Sequence, residues 1–278
     1  SSLLKYSKAK KSCWTQPSTN LGVMMNIAVC VKEIPEEIRV NKKTYTLIRE
    51  GIKGIINPCD KNAIELAVRL KEKHGGKITL ISMGPQNVEK TLIHGLAIGA
   101  DQAVLVCDRA FAGADTLATA FALATAIKKL GNFQLVLCGK ASADSGTQHI
   151  GPQIANFLRI TQVTYAVDLV VENNKVRVKR QLRDEYETVE VEFPALVTVV
   201  KGINEPRIPT YLEIYEASKK DFFKWSIDDL GLKEEQVGRT GSPTRISNIF
   251  TPEAVRQCKM LKGSLEEICG DLAQILKT

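Results

Sequence analysis

The sequence predicts an α/β fold, an open and mostly parallel twisted sheet with helices on both faces. From Met25 to about Ile160, short apolar runs of strand length alternate with longer stretches of helical period, as in parallel sheets wrapped by helices. Helix starts carry capping signals, such as Asp115 before the helix predicted at Thr116. After residue 160 the apolar residues recur with period two, which predicts an antiparallel extension of the same sheet.

The first part alternates four strands with four helices. The strands are predicted at residues 27–31, 77–82, 102–106 and 134–138. The helices are predicted at residues 61–73, 88–98, 116–130 and 152–158. Pro152 favours a first-turn position, because its missing N–H would have no partner within the helix there.

The second part predicts strands at residues 166–171, 176–182, 188–193 and 195–200, joined as an antiparallel meander. A loop with one glycine and two prolines follows at 202–209, and a short helix at 210–218 closes a domain that we expect to span residues 25–218.

Residues 219–278 are expected to form an arm and a helix that pack on a partner subunit. The stretch 219–249 has little periodic apolar content, so it is either a disordered linker or, as we favour, an arm lying on another polypeptide. Its anchors would be Phe222, Phe223, Trp225, Ile246 and Phe250. A final amphipathic helix is predicted at 251–276, with a break near Gly263 or Gly270.

Composition excludes several classes of function. Of the net charge of +7, four lysines before residue 12 contribute +4, and the remaining +3 is dispersed among acidic residues, so no nucleic-acid binding is expected. No apolar run approaches the roughly 20 residues that cross a bilayer, so no membrane span is expected. Residues 1–24 lack acids but also lack arginine, and we expect an appended or upstream-translated extension rather than a transit peptide.

The seven cysteines form no C-x-x-C pair, which disfavours disulfides and structural zinc. Cys30, Cys107 and Cys138 lie in apolar strands, so reduced, buried thiols are expected. The corresponding location is the cytoplasm, with the mitochondrial matrix as the alternative. The three histidines are too scattered to indicate a metal site.

Four loops should meet at the carboxyl edge of the sheet, where open α/β sheets bind their ligands. They comprise residues 57–60, 83–85, 108–119 and 139–153. The last is rich in Gly, Ser, Thr and amide side chains and opens a helix, which favours an anionic nucleotide. Thr116 and Thr119 share one helix face and could contact that ligand, although each alone could equally serve as a local cap.

Two members of the long loop leave alternatives open. Asp144 has the wrong sign for a phosphate, so a base, a ribose hydroxyl or a capping N–H is its expected partner. His149 could hydrogen-bond a cofactor or face solvent. The sequence contains no G-x-x-x-x-G-K-[ST] motif, no G-x-G-x-x-G after the first strand, and no nucleophile paired with a base. It therefore predicts a Rossmann-like, adenine-nucleotide-binding domain with no catalytic residue of its own and no metal.

Several motifs together resemble the β subunit of electron transfer flavoproteins, over almost all of residues 25–278. They are Cys30-Val31-Lys32, Asn57-Pro58-Cys59-Asp60, Ser82-Met83-Gly84-Pro85, Ala97-Ile98-Gly99-Ala100-Asp101, Gly139-Lys140, Val178-Lys179-Arg180 through Glu187, Pro194-Ala195-Leu196-Val197-Thr198 and Asn204-Glu205-Pro206-Arg207. Arg183 stands where the family usually has an acidic residue, a departure in a hairpin that leaves the nucleotide site alone.

The resemblance implies a heterodimer with the family's α subunit, and two alternatives for the cofactor. Ordinary members hold a structural AMP in this subunit, whereas electron-bifurcating members hold FAD and bind NAD beside it. Residues 108–119 and Gly151-Pro152-Gln153 resemble the bifurcating group. FAD is therefore expected, with AMP as the alternative.

For a bifurcating member, the resemblance further implies the route of the electrons. NADH would give a hydride to the flavin of this subunit. One electron would then pass to a low-potential acceptor, ferredoxin or flavodoxin. The other would pass to the FAD of the partner subunit, which serves a flavin dehydrogenase of acyl-CoA or 2-hydroxy acid type.

The resemblance also implies which residues bind the cofactor and which dock the dehydrogenase. The expected cofactor-binding residues are Cys30, Asn57, Pro58, Cys59, Asp60, Met83, Asp115, Thr116, Thr119, Gly139, Lys140, Ser142, Asp144, Ser145, Gly146, Thr147, Gln148, His149 and Ile150. The expected docking residues are Asn204, Glu205, Pro206, Arg207, Tyr211 and Leu212. Tyr211 and Leu212 would be the apolar anchors, unless they fold onto the chain's own helix. A stand-alone adenine-nucleotide-binding protein is a further alternative, against which the long arm argues.

Overall fold

The computed structural model describes residues 24–37, 39–41, 46–48, 51–245, 258 and 260–276. Among these, one sheet of nine strands forms the centre of the fold, in the order β11-β10-β9-β12-β8-β1-β6-β7-β13. Its strands are β1 Ile27–Cys30, β6 Ile78–Met83, β7 Gln102–Val106, β8 Leu135–Gly139, β9 Thr161–Glu172, β10 Lys175–Gln181, β11 Tyr186–Glu192, β12 Ala195–Val199 and β13 Asp221–Trp225. Two short ribbons pair β2 Glu33–Pro35 with β5 Gly54–Ile56, and β3 Arg39–Asn41 with β4 Thr46–Ile48.

Helices cover both faces of the sheet, as predicted. They are α1 Pro58–His74, α2 Val88–Ile98, α3 Thr116–Leu130, α4 Ile150–Leu158 and α5 Tyr211–Ala217. Alternate residues of β1 enter different cores: Val29 packs in the core that α1 and α2 cover, and Ala28 in the core that α3 and α4 cover. Each buried aliphatic side chain of this kind contributes about 1.5–3 kcal/mol to folding. The predicted fold class is confirmed.

One predicted pairing is wrong. The strand predicted at 195–200 does not continue the antiparallel meander, because β12 lies between β8 and β9 and runs parallel to both. All five of its residues are buried, with Leu196 in one core and Val197 in the other. A continuous apolar run of this kind is typical of an internal parallel strand. The antiparallel extension is confined to β9, β10 and β11.

Strand β13 was not predicted from the sequence. It pairs in parallel with β7 at the edge of the sheet, and its residues Phe222 and Trp225 pack against opposite cores. Leu230 and Val237 are buried farther along the same segment. The compact unit therefore extends to Arg245 rather than ending at residue 218. Two of the expected arm anchors, Ile246 and Phe250, lie outside the described residues.

The second compact unit, residues 246–278, contains helix α6, Leu265–Ile275. Ser264 caps it through the N–H of Glu267, and the helix begins directly after Gly263 and continues through Gly270. Leu265 and Leu272 are exposed. Packing of this segment on a partner subunit stays a prediction. No helix in the described part of the chain combines the length and the apolar character that crossing a membrane requires.

Candidate functional site

The candidate site lies at the carboxyl ends of β1 and β8. From β1 the chain adds β6 and β7 on one side, whereas β8 lies on the other side. This reversal creates a topological switch point, and the crevice there is where open α/β sheets bind ligands. Cys30 and Cys138 lie opposite each other as the neighbouring strands reach this edge. The loops that follow them, residues 31–32 and 140–149, face the crevice from both sides.

Asp60 ties three elements of this edge together. Its buried carboxylate accepts hydrogen bonds from the backbone N–H of Lys32 (2.8 Å), the backbone N–H of Gly139 (3.1 Å) and the side-chain amide of Asn57 (3.0 Å). Burial raises the pKa of Asp60 to about 7, although these three donors and the Lys32 charge act in the opposite direction. Any β-carbon at Gly139 would overlap this carboxylate, so the strand end approaches it closely only because residue 139 is glycine.

Asn57 holds the loop after β8 through two hydrogen bonds to its backbone. Its amide donates to the carbonyl of Ala141 (2.9 Å), and its oxygen accepts from the N–H of Ala143 (3.1 Å). The residue is 1 % exposed. Asn57 and Asp60, both predicted to surround the cofactor, are thus committed to holding the loops that form the crevice.

Lys32 is a residue that the predicted set of binding residues omits. Its Nζ lies 2.6 Å from Asp144 Oδ1, 3.3 Å from Ser142 Oγ and 3.4 Å from Ser145 Oγ. The lysine side chain is 41 % exposed, whereas that of Asp144 is only 3 % exposed. Its position two residues beyond the first strand was the signal that could have identified it, because such a residue must face the loop after β8.

The rest of the long loop is exposed. Gln148 has a positive φ of 63° and accepts a hydrogen bond from the Tyr165 hydroxyl (2.6 Å). The Lys140 ammonium lies 5.7 Å from the centre of the same ring. Gly146, Thr147 and His149 are exposed beside it. His149 precedes α4 without a side-chain capping bond, and Ile150 opens that helix.

The start of α3 forms a second wall. Asp115 caps α3 through the N–H of Ala118 (3.0 Å), and its other oxygen accepts from the N–H (3.1 Å) and hydroxyl (2.7 Å) of Thr244. Burial alone would raise the pKa of Asp115, but these hydrogen bonds outweigh it and lower the pKa. Asp115 is therefore a structural cap that also binds the end of the first compact unit.

Thr116 and Thr119 follow Asp115 on one face of α3, both half-buried. Thr116 Oγ1 lies 3.3 Å from the side-chain amide nitrogen of Gln153, which links α3 to α4. The amide oxygen of Gln153 is buried and has no hydrogen-bond partner among the described residues. Such an atom suits a donor group on a bound ligand or a water.

The remaining predicted residues line or underlie the same edge. Cys30 is buried against Cys138, whose pKa is raised by the neighbouring Cys30 thiol and by burial. Pro58 and Cys59 form the first turn of α1, and Met83 ends β6; all three are half-buried. No cluster of metal-ligating side chains occurs in the residues that the structure describes.

Hydrogen bonds and ion pairs hold the predicted docking loop, residues 204–207, against α1. The side-chain amides of Asn62 and Asn204 each donate to the backbone carbonyl of the other residue, and the Arg69 guanidinium donates to the carbonyl of Glu205 (3.1 Å). Arg207 binds the carboxylates of Glu65 and Glu72. Residues 204–207 therefore have a defined position beside α1, with Pro206 half-buried.

An exposed apolar surface continues from this loop into α5. Ile208 is 91 % exposed, Tyr211 94 % and Leu212 69 %, and Tyr215 lies one turn after Tyr211. Ala217 anchors the opposite face of α5 in the core. Tyr211 and Leu212 thus do not fold onto the chain's own surface, and large exposed apolar side chains so close together are typical of an interaction site.

The fold and the site together define a doubly wound α/β protein with polar loops at its switch point and an apolar surface beside a fixed loop. The family model "Electron transfer flavoprotein domain" matches residues 44–230. The chain belongs to the electron transfer flavoprotein family, as a β subunit.

Relatives match nearly the full chain. It is 45 % identical to the electron transfer flavoprotein subunit beta of Thermoanaerobacterium thermosaccharolyticum, over 91 % of this chain and 98 % of the relative. It is 40 % identical to subunit CarD of the caffeyl-CoA reductase-Etf complex of Acetobacterium woodii, with the same coverage. It is 38 % identical to protein FixA of Azotobacter vinelandii, over 82 % and 85 %.

Proposed function

We propose that this chain is the FAD-binding β subunit of an electron-bifurcating flavoprotein. It pairs with an α subunit, accepts a hydride from NADH, and divides the electrons between ferredoxin or flavodoxin and the FAD of that partner. The partner's flavin serves a dehydrogenase of acyl-CoA or 2-hydroxy acid type. The observation that carries the nucleotide-binding part of this proposal is the set of polar loops at the switch point, where Lys32 after β1 meets residues 140–149 after β8.

The residues present fit an adenine nucleotide. Hydroxyl and amide side chains are exposed along the loop, the Lys32 ammonium stands at its mouth, and the buried Gln153 oxygen offers an acceptor. The glycines are required by close approaches: a β-carbon at Gly151 would overlap the Thr198 methyl, just as one at Gly139 would overlap Asp60. These two glycines therefore let the end of β8 and the start of α4 pack closely against Asp60 and Thr198 at the base of the site.

FAD is proposed over AMP because residues 108–119 and Gly151-Pro152-Gln153 resemble the bifurcating group. Two further observations are consistent with this chain being a subunit of a redox complex. CarD is named as a subunit of a reductase-Etf complex, and the surface formed by Ile208, Tyr211, Leu212 and Tyr215 is suited to a protein partner.

The bound flavin would supply the electron chemistry, since the protein's own contribution in cofactor enzymes is binding, orientation and electrostatics. Asp60 and Asn57 fix the strand ends and the loop at 139–143. Thr116 and Gln153 join the first turns of α3 and α4. The N-terminus of α4 has no side-chain cap, and an uncapped helix N-terminus favours negative charge. Arg207 fixes the loop that precedes the docking surface.

The test is the cofactor content and electron output of the heterodimer, produced with its α subunit. Two FAD per heterodimer, together with NADH-dependent reduction of ferredoxin or flavodoxin, would support the proposal. One FAD and one AMP, with no oxidation of NADH, would identify an ordinary electron transfer flavoprotein. A chain that is monomeric and holds a nucleotide without an α subunit would identify a stand-alone binding protein.

A further inference from the structure

The loop proposed to hold a nucleotide contains a carboxylate of its own, Asp144. A phosphate near it would be repelled, because two like charges a few ångströms apart in a protein raise each other's energy. Lys32 removes this conflict in the structure, because its ammonium lies 2.6 Å from Asp144 Oδ1. With Asp144 paired in this way, the remaining charge of the loop is the positive charge of Lys140.

The other contacts of Lys32 are weaker. Ser142 Oγ and Ser145 Oγ lie 3.3 and 3.4 Å from Nζ, and these two hydroxyls lie 2.6 Å from each other. An ammonium has three donors, so it can keep the short bond to Asp144 and exchange the long serine contacts. The lysine side chain is 41 % exposed, which makes it accessible from the crevice.

The backbone of Lys32 is fixed independently of its side chain. Its N–H donates to Asp60 Oδ2 (2.8 Å), and Asp60 in turn accepts from Gly139 at the end of β8. The ammonium therefore projects from a strand end that is already tied to the base of the loop. Replacing the side chain should leave this connection in place.

We propose that Lys32 is the phosphate-recognising residue of the site: its ammonium stays paired with Asp144 and exchanges the serine contacts for a phosphate oxygen of the bound nucleotide. This inference rests on the proposed nucleotide-binding function. It assigns to Lys32 the preference for a phosphorylated ligand over the nucleoside, because only the phosphate carries the charge that the ammonium meets.

The test uses the full chain in its heterodimer, stripped of bound flavin and nucleotide and titrated with AMP and with adenosine by equilibrium dialysis. For Lys32→Met we expect AMP to bind at least 10-fold more weakly, while adenosine binding changes by less than 2-fold. Raising the ionic strength should weaken AMP binding to the wild type more than to the variant, since salt screens an exposed charge. Lys90→Met, an exposed lysine on α2, is the matched control and should not change either affinity.

A double substitution separates direct contact from simple neutralisation of Asp144. If Lys32 binds the phosphate, Lys32→Met/Asp144→Asn should remain weak for AMP, and Asp144→Asn alone should bind AMP at least as well as the wild type. Recovery of AMP binding in the double variant would overturn the proposed contact. Amide hydrogen exchange of residues 139–149 in each variant should stay as in the wild type.

The outcomes also distinguish this inference from the function on which it rests. Equal weakening of AMP and adenosine by Lys32→Met would refute phosphate recognition while leaving the nucleotide site intact. A wild-type complex that binds neither ligand would refute the nucleotide site itself. Faster exchange of the loop in Lys32→Met, together with loss of both ligands, would make Lys32 a residue that only orders the loop and would overturn the inference.

Discussion

Arg207 binds the Glu65 carboxylate through two guanidinium nitrogens: Nε lies 2.9 Å from Oε2 and one terminal nitrogen lies 3.2 Å from Oε1. The backbone N–H of Arg207 also donates to Oε2 (3.1 Å). Bidentate pairs of this kind fix orientation as well as distance. Because Glu65 belongs to α1, the pair fixes the loop at 204–207 beside α1, directly before the exposed apolar residues Ile208, Tyr211 and Leu212.

Replacing Arg207 should loosen this loop. Arg207→Met should destabilise the domain by about 1–2 kcal/mol, since the Glu65 side chain, 3 % exposed, loses both guanidinium bonds and keeps only the Arg69 contact (2.7 Å) and the backbone N–H of residue 207 (3.1 Å). Urea unfolding measures the loss. Glu72→Gln removes only the exposed partner of Arg207 and should cost less. Equal costs for both variants would show that the buried Glu65 contact is not the dominant one.

The same pair predicts a pH dependence. Burial would raise the pKa of Glu65, but the hydrogen bonds from Arg207 and Arg69 outweigh it, so the pKa is lowered. A lowered pKa in the folded state gives stability that is present above the unfolded value, near 4.5, and is lost as pH falls through the folded value. Acid unfolding of Glu65→Gln should lack this component. Parallel acid-stability curves for the variant and the wild type would contradict the assignment.

The exposed apolar side chains of α5 should affect docking of the dehydrogenase but not cofactor binding or the stability of the domain. Tyr211→Ala/Leu212→Ala is expected to raise the KM for the dehydrogenase at least 10-fold, because apolar anchors at the centre of an interface contribute most of its affinity. The FAD content and the unfolding midpoint should be unchanged, since both side chains are exposed. Tyr186→Ala on β11, also exposed, is the matched control. An effect as large from Tyr186→Ala would place docking elsewhere.

The sequence predicted the parallel core, because β1, β6, β7 and β8 are apolar runs that alternate with stretches of helical period. It did not predict that β12 lies inside the sheet or that β13 adds to its edge. Both depend on pairing between residues far apart in the chain, such as Phe222 with Ala103, and local periodicity carries no information about such partners.

The sequence predicted which residues lie near the site, but not which of them hydrogen-bond to one another. Loop positions follow from the topology, and the structure brings Gly139, Asp144 and Thr116 to one edge of the sheet; their contact with a cofactor stays a prediction. The roles of Asp60 and Asp115 as hydrogen-bond acceptors for backbone groups were not predicted, because they depend on contacts with Gly139 and Thr244 that sequence spacing cannot show. The position of Lys32 just beyond the first strand could have indicated that it faces the site, but its contact with Asp144 could not be predicted from sequence spacing.

Asp115 should connect stability at the site to the segment that ends the first unit. Asp115→Ala removes the α3 cap and the two bonds from Thr244, so it should cost about 1–2 kcal/mol in urea unfolding. Thr244→Ala removes only the hydroxyl contact and should cost less than 1 kcal/mol. It should nevertheless speed amide exchange in residues 238–245. Unchanged exchange in that variant would show that Asp115 does not hold the segment.

Because of Asp60, the domain should become less stable as the pH rises. The folded pKa of Asp60, about 7, lies above the ordinary aspartate value of 3.8, so between these values the folded state keeps a proton that the unfolded chain releases. The resulting stability is full below about pH 4 and is lost as pH rises through 7, by on the order of a few kcal/mol. Asp60→Asn does not titrate and should flatten this slope in chemical unfolding measured from pH 5 to pH 8. Its absolute stability should still fall, because an amide nitrogen facing the N–H of Lys32 cannot accept that hydrogen bond. An unchanged slope in the variant would mean that Asp60 is ionised throughout this range, held so by its three donors.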